Sequence, residues 1–94
     1  MKIIWLPRAR ADRTNAITYI ANENPGAALN QLTEIERQAD ALADHPEMGR
    51  PGRLQGTREL VINRTPFIAI YRVRWQPERV EILRLLHGRQ KWPS

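Results

Sequence analysis

Cysteine is absent from this 94-residue chain, and histidine occurs only twice, at His45 and His87. The missing thiols exclude disulfides and thiolate chemistry and leave the redox compartment unreadable. Neither histidine has a second ligand at metal spacing, so no metal and no cofactor is expected. No apolar run approaches the roughly 20 residues that a membrane span needs. The opening Met-Lys-Ile-Ile-Trp-Leu-Pro is too short for a signal-peptide core, so the expectation is a cytoplasmic protein. Gly49, Gly52 and Gly56 precede no Gly-Lys-Ser/Thr and no predicted helix, which excludes a phosphate-binding loop. Ser94 and the threonines lack any flanking nucleophile motif, so a hydrolase triad has no support.

Lysine is scarce as well: Lys2 and Lys91 are the only two, and the other thirteen of the fifteen basic residues are arginine. Arginine presents a planar, permanently charged fork suited to carboxylates, phosphates and aromatic faces. The charge is unevenly placed. Residues 1–47 hold five Lys/Arg against seven Asp/Glu, a net −2, whereas residues 48–94 hold ten against three, a net +7. Such asymmetry implies a surface that meets something acidic, either nucleic acid or an acidic polypeptide. With 41% hydrophobic and 27% charged residues, the composition is that of one globular domain spanning residues 1–94.

Ile3-Ile4-Trp5-Leu6 reads as a short strand ended by Pro7, which suits the first turn of a helix. Ala9, Arg13, Ala16, Ile17 and Ile20 then recur at helical spacing, giving a helix over about 8–22. Asn24-Pro25 is a cap followed by proline at the first helical position. Ala28, Leu32, Ile35, Ala39 and Leu42 form one apolar stripe of a second helix over 25–43. Residues 46–57 are rich in glycine and proline and read as a loop carrying Arg50 and Arg53. Glu59–Ile62, Phe67–Trp75 and Val80–His87 read as strands joined by tight turns at 63–66 and 76–79. The expected fold is α+β, in the order β-α-α-β-β-β, with a helical hairpin on one face of a small, mainly antiparallel sheet.

Alternation in Phe67–Trp75 puts Ile68, Ile70, Arg72 and Arg74 on one face and Phe67, Ala69, Tyr71, Val73 and Trp75 on the other. Helices on one side leave the other side of the sheet free. That free face, bordered by the arginine-bearing loop and the basic tail, is the expected binding groove. His45 sits at a helix end, where an imidazole interacts with the last carbonyls. His87 ends the last strand beside Arg89; it reads either as an acid–base group or as a ring packed at a strand end. Trp75 and Trp92 suit stacking on bases or anchoring a peptide, and Trp5 reads as core.

Tyr19-Ile-Ala-Asn-Glu-Asn-Pro25, Ala27-Ala28, Gly49-Arg50, Gly56-Thr-Arg-Glu-Leu60, Tyr71-Arg72-Val73 and His87-Gly-Arg-Gln-Lys-Trp-Pro93 follow one another in a fixed order. Taken together they resemble the RelE/ParE superfamily of type II toxin–antitoxin toxins, over nearly the whole chain. The resemblance implies a bacterial cytoplasmic toxin with this fold, held in a hetero-oligomer by an antitoxin whose acidic, partly disordered tail wraps it. It also implies one of two activities. RelE-like members cut messenger RNA on the ribosome, using basic residues and a terminal Tyr or His on the concave face; ParE-like members inhibit DNA gyrase. The nuclease branch carries an arginine early in the strand that here holds Ile68, and Leu60-Val61-Ile62 supplies no lysine. Arg58-Glu59-Leu60-Val61 and His87-x-x-x-x-Trp92-Pro93 look ParE-like.

Three readings follow. The first is a ParE-like gyrase inhibitor neutralised by a ParD-like antitoxin, with no catalytic residues. The second is a ribosome-dependent endoribonuclease using His87 as acid and base, with Arg72 and Arg89 on the phosphate. The third is a basic nucleic-acid-binding module, although the cations fall on loop and strands rather than on a recognition helix. Antitoxin or target contacts are expected at Arg50, Arg53, Arg58, Arg72, Arg74, Arg89 and Trp92.

Overall fold

Phe67–Trp75 (β4) is the centre of a five-stranded sheet in a computed structural model that describes residues 1–93. Its branched and aromatic residues favour extended backbone, and it pairs antiparallel with Glu78–His87 (β5) across a two-residue turn. On its other side lies Arg58–Val61 (β3), also antiparallel, followed by Arg50–Pro51 (β2) at the edge. Lys2–Trp5 (β1) closes the opposite edge, parallel to β5, so the order is β1-β5-β4-β3-β2. The mixed sheet and the helical hairpin agree with the expected α+β layering. The short strand β2 was expected to be loop. Its pairing with Arg58 and Glu59 is too brief for a periodic signal, and Pro51 removes a donor that would otherwise leave the edge open.

Pro7–Glu23 (α1) begins on Pro7 without a side-chain cap. Pro25–Asp40 (α2) begins under Asn24, whose side chain accepts from the Ala27 amide at 3.1 Å. The helix then tightens into a 3-10 turn at Ala41–Ala43, within the span expected to be helical. Ala9 of α1, Ile35 of α2 and Leu42 of the 3-10 turn bury against Leu60, Phe67, Ala69, Tyr71, Val80, Ile82 and Leu85 of the sheet. Burying the Val, Leu, Ile and Phe side chains among these contributes about 1.5–3 kcal/mol each. Trp5 packs against this core as expected, with the Arg13 guanidinium 4.4 Å from its ring centre.

Two polar pins fix the layers. The Gln38 side chain donates to the Asn63 carbonyl at 2.9 Å and accepts from the Asn63 amide at 2.8 Å, imitating one ladder pair. The Asp12 carboxylate accepts from the Leu85 amide at 2.9 Å, holding α1 against the stretch of β5 beyond β1. No helix among the described residues is long and apolar enough to cross a membrane.

Candidate binding face

The register carries the helix-facing residues of β4 into the core and leaves Ile68, Ile70, Arg72 and Arg74 on the opposite face, as alternation predicts. Four cross-strand rows describe that face. At one end Leu86, Ile68 and Val61 stand side by side. Next come Arg84, Ile70, Glu59 and Arg50, then Ile4, Glu81 and Arg72, and finally Lys2, Arg79 and Arg74. A bulge at Leu83 makes this register possible, since Tyr71 pairs with Ile82 while Ile70 pairs with Arg84. Strict alternation from Val80 would point Arg84 inward; the extra residue turns it out.

At the first end, apolar side chains and arginines share a cleft of about 80 Å³ lined by Arg50, Arg53, Ile68, Leu86 and Trp92. Arg50 pairs with the buried Glu59, its Nη2 3.0 Å from Oε1. Arg53 is exposed. Arg84 bonds Asp12 at 2.8 and 3.2 Å and lies 5.9 Å from the Trp92 ring centre. The Trp92 Nε1 is buried and meets no acceptor among the described residues. Here a partner would find both apolar contact and positive charge.

The other end is cationic. Glu81, only 7% exposed, receives Arg72 Nε at 2.6 Å and Arg79 Nε at 2.8 Å, with Arg74 Nε at 3.6 Å. Hydrogen bonds from Arg72 first, and Arg79 second, lower its carboxyl from the usual 4.5 to about 2, against the opposing pull of desolvation. Local pattern in the sequence does not single out Glu81 and Arg79. Once the two-residue turn is placed at Gln76-Pro77, the pairing of Arg72 with Glu81 follows, so the signal was present but depended on register.

The remaining candidates separate. Arg58 does not join the open face: it pairs with Tyr71 on the helix side and donates to the carbonyls of Gly49 at 2.8 Å and Glu47 at 3.4 Å. Strand alternation is the reason, because Leu60, two residues on, is a core residue. Trp75 is also on the helix side, 58% exposed beyond the end of the helices beside Met48. His87 pairs with Phe67 on that side too, and their rings meet edge-on at 6.1 Å, while its Nδ1 accepts from the Arg89 amide. Arg89 is exposed in the tail. His87 and Arg72 therefore lie on opposite faces, and Phe67 and Arg72 are separated by about 16 Å of strand. The residues expected for a nuclease do not converge. A separate hollow of about 490 Å³ lies between the helices and the end of β5, lined by Asp12, Tyr19, Gln31, Phe67 and His87.

The chain has counterparts among known proteins. Residues 3–92 match the family described as the ParE toxin of the type II toxin-antitoxin system, parDE. Y4kP of Sinorhizobium fredii is 43% identical over 95 aligned positions, covering 99% of this chain and 94% of that protein. Toxin RelE3 of Caulobacter vibrioides is 33% identical over 92, covering 97% and 99%. Among solved structures, a chain of the chromosomal ParDE system of P. aeruginosa superposes with a TM-score of 0.81 at 29% identity, covering 93% of this chain and 95% of its own. The YoeB/ParE toxin of Agrobacterium tumefaciens, at 16% identity, shares the fold alone, with a TM-score of 0.62 over 93% of this chain and 98% of its own. The chain belongs to the ParE toxin family of the RelE/ParE superfamily. It is thus a type II toxin, and an antitoxin partner follows from that membership.

Proposed function

We propose that this toxin inhibits DNA gyrase and is neutralised by a ParD-like antitoxin whose acidic segment lies on the open face of the sheet. The observation that carries the reading is the composition of the row Leu86, Ile68, Val61. Cleavage of RNA needs a base for the 2′-hydroxyl and cations for the pentavalent phosphate. This row offers neither, and His87 is turned to the other face. The mode of action is accordingly binding rather than catalysis.

For the antitoxin, the cleft beside Trp92 offers what an amphipathic acidic segment needs: Ile68 and Leu86 as apolar floor, with Arg50 and Arg53 at its border. Supercoiling of relaxed plasmid by purified gyrase tests the target. Inhibition is expected at a molar excess of toxin. Uninhibited gyrase, together with discrete codon-linked cuts in translated messenger RNA by primer extension, would replace this reading with the ribonuclease one.

A further inference from the structure

The cationic end of the open face is not explained by antitoxin capture. Like charges directly opposite in a sheet are destabilising, yet Arg79 faces Arg74 on one side and Lys2 on the other. Glu81 makes this arrangement tolerable, but one carboxylate against Lys2, Arg72, Arg74 and Arg79 leaves the patch strongly positive. A sheet built for stability alone would alternate the signs.

The geometry of the clamp says what the surplus is for. Arg72, Arg74 and Arg79 all turn the Nε side of the guanidinium to Glu81. The Nη atoms of Arg72 and Arg74, and Nη2 of Arg79, meet no acceptor among the described residues. Their side chains remain 36%, 49% and 26% exposed, respectively. Glu81 thus holds the guanidiniums at their Nε side and leaves the Nη pairs of Arg72 and Arg74, the edge that grips phosphate bidentately, and one Nη of Arg79 without a partner.

We propose that Lys2, Arg72, Arg74 and Arg79 form a binding site for the phosphodiester backbone of nucleic acid, with Glu81 as the residue that positions the arginines. A phosphate ligand is favoured over an acidic peptide because the two rows at this end are almost wholly charged. Ile4 is its one apolar neighbour in the cross-strand rows, and the cleft with apolar walls lies at the opposite end. Backbone contact of this kind reads no sequence and depends steeply on salt. It would let the toxin hold the DNA or RNA that its target carries while the Trp92 end remains available to protein.

The test is fluorescence anisotropy of the full chain with a labelled random-sequence duplex of twenty base pairs, over a salt series. Lys2→Gln with Arg74→Gln removes two exposed cations and leaves the stronger Glu81 bonds intact; Arg50→Gln with Arg53→Gln removes the same charge at the other end. The first pair is expected to weaken binding at low salt by about tenfold or more and to flatten the slope of log K against log salt by about 2, near 0.9 per lost phosphate contact. The second pair should change both far less, and polyglutamate should displace the duplex poorly. Equal losses from the two pairs, no binding at low salt, or displacement by polyglutamate as effective as by unlabelled duplex would overturn the proposal. Gyrase is absent from this assay, so its failure leaves the gyrase reading untouched.

Discussion

Asp12 of α1 closes on Arg84 of β5 through two hydrogen bonds of 2.8 and 3.2 Å, joining the first helix to the last strand. The same carboxylate takes the Leu85 amide, and Arg84 in turn lies near Trp92, so one acidic residue links helix, strand and tail. Both side chains are largely shielded from solvent. Asp12→Ala is expected to cost about 2–3 kcal/mol, since it leaves a charged donor and a backbone amide without their acceptor. Urea unfolding checks this as a lower midpoint with an unchanged slope. Asp12→Asn, which keeps an acceptor for the Leu85 amide, should lose less.

Tyr71 governs the loop ahead of β2. Its hydroxyl donates to the Pro46 carbonyl at 2.7 Å and accepts from the Gly49 amide at 2.9 Å. Desolvation raises its pKa, so the phenol stays a donor throughout the working pH range. Tyr71→Phe should destabilise by about 1–3 kcal/mol, the cost of a buried group left unsatisfied, and should speed hydrogen exchange at the Gly49 amide. Gly49→Ala should be worse for the loop, because an added Cβ would lie 2.7 Å from the Tyr71 ring and 2.8 Å from the Glu59 carbonyl.

Acid reports on the Glu81 clamp. Its carboxyl is depressed to about 2 in the folded protein, so the stability it contributes is fully present above about pH 4.5 and is lost as pH falls toward 2. Glu81→Gln cannot titrate. The stability gap between the wild-type protein and this variant should therefore narrow as pH falls from 5 to 2. A gap that stays constant over that window would show that the ionised carboxylate is not what holds the arginines.

Antitoxin capture should be steered by charge at the Trp92 end. Arg53→Glu, on an exposed side chain, is expected to slow association with the cognate antitoxin by about tenfold at low salt and to flatten its salt dependence. Stopped-flow fluorescence measures both quantities, and the dissociation rate should change less.

Much of this architecture is legible in the sequence. The Asn24-Pro25 signal and the stripe from Ala28 to Leu42 place α2, and alternation in Phe67–Trp75 sorts the two faces of β4 correctly. What escaped was whatever depended on pairing. β2 is two residues long and has no period of its own. The bulge at Leu83 reverses the facing of Arg84, and no local pattern announces it. Arg58 is distinguishable from Arg50 only after Leu60 is known to be core. The candidate face was likewise foreseen as a set of arginines, whereas the acids that arrange them, Glu59, Glu81 and Asp12, become visible only with the register and the seating of α1.

The proposed function is that this toxin holds its target rather than cutting RNA. It is tested most directly by titrating the purified toxin into a gyrase supercoiling reaction, with and without prior addition of the cognate antitoxin. The expected result is dose-dependent loss of supercoiled product that antitoxin abolishes and that His87→Ala leaves intact. Full supercoiling at every toxin concentration would contradict it.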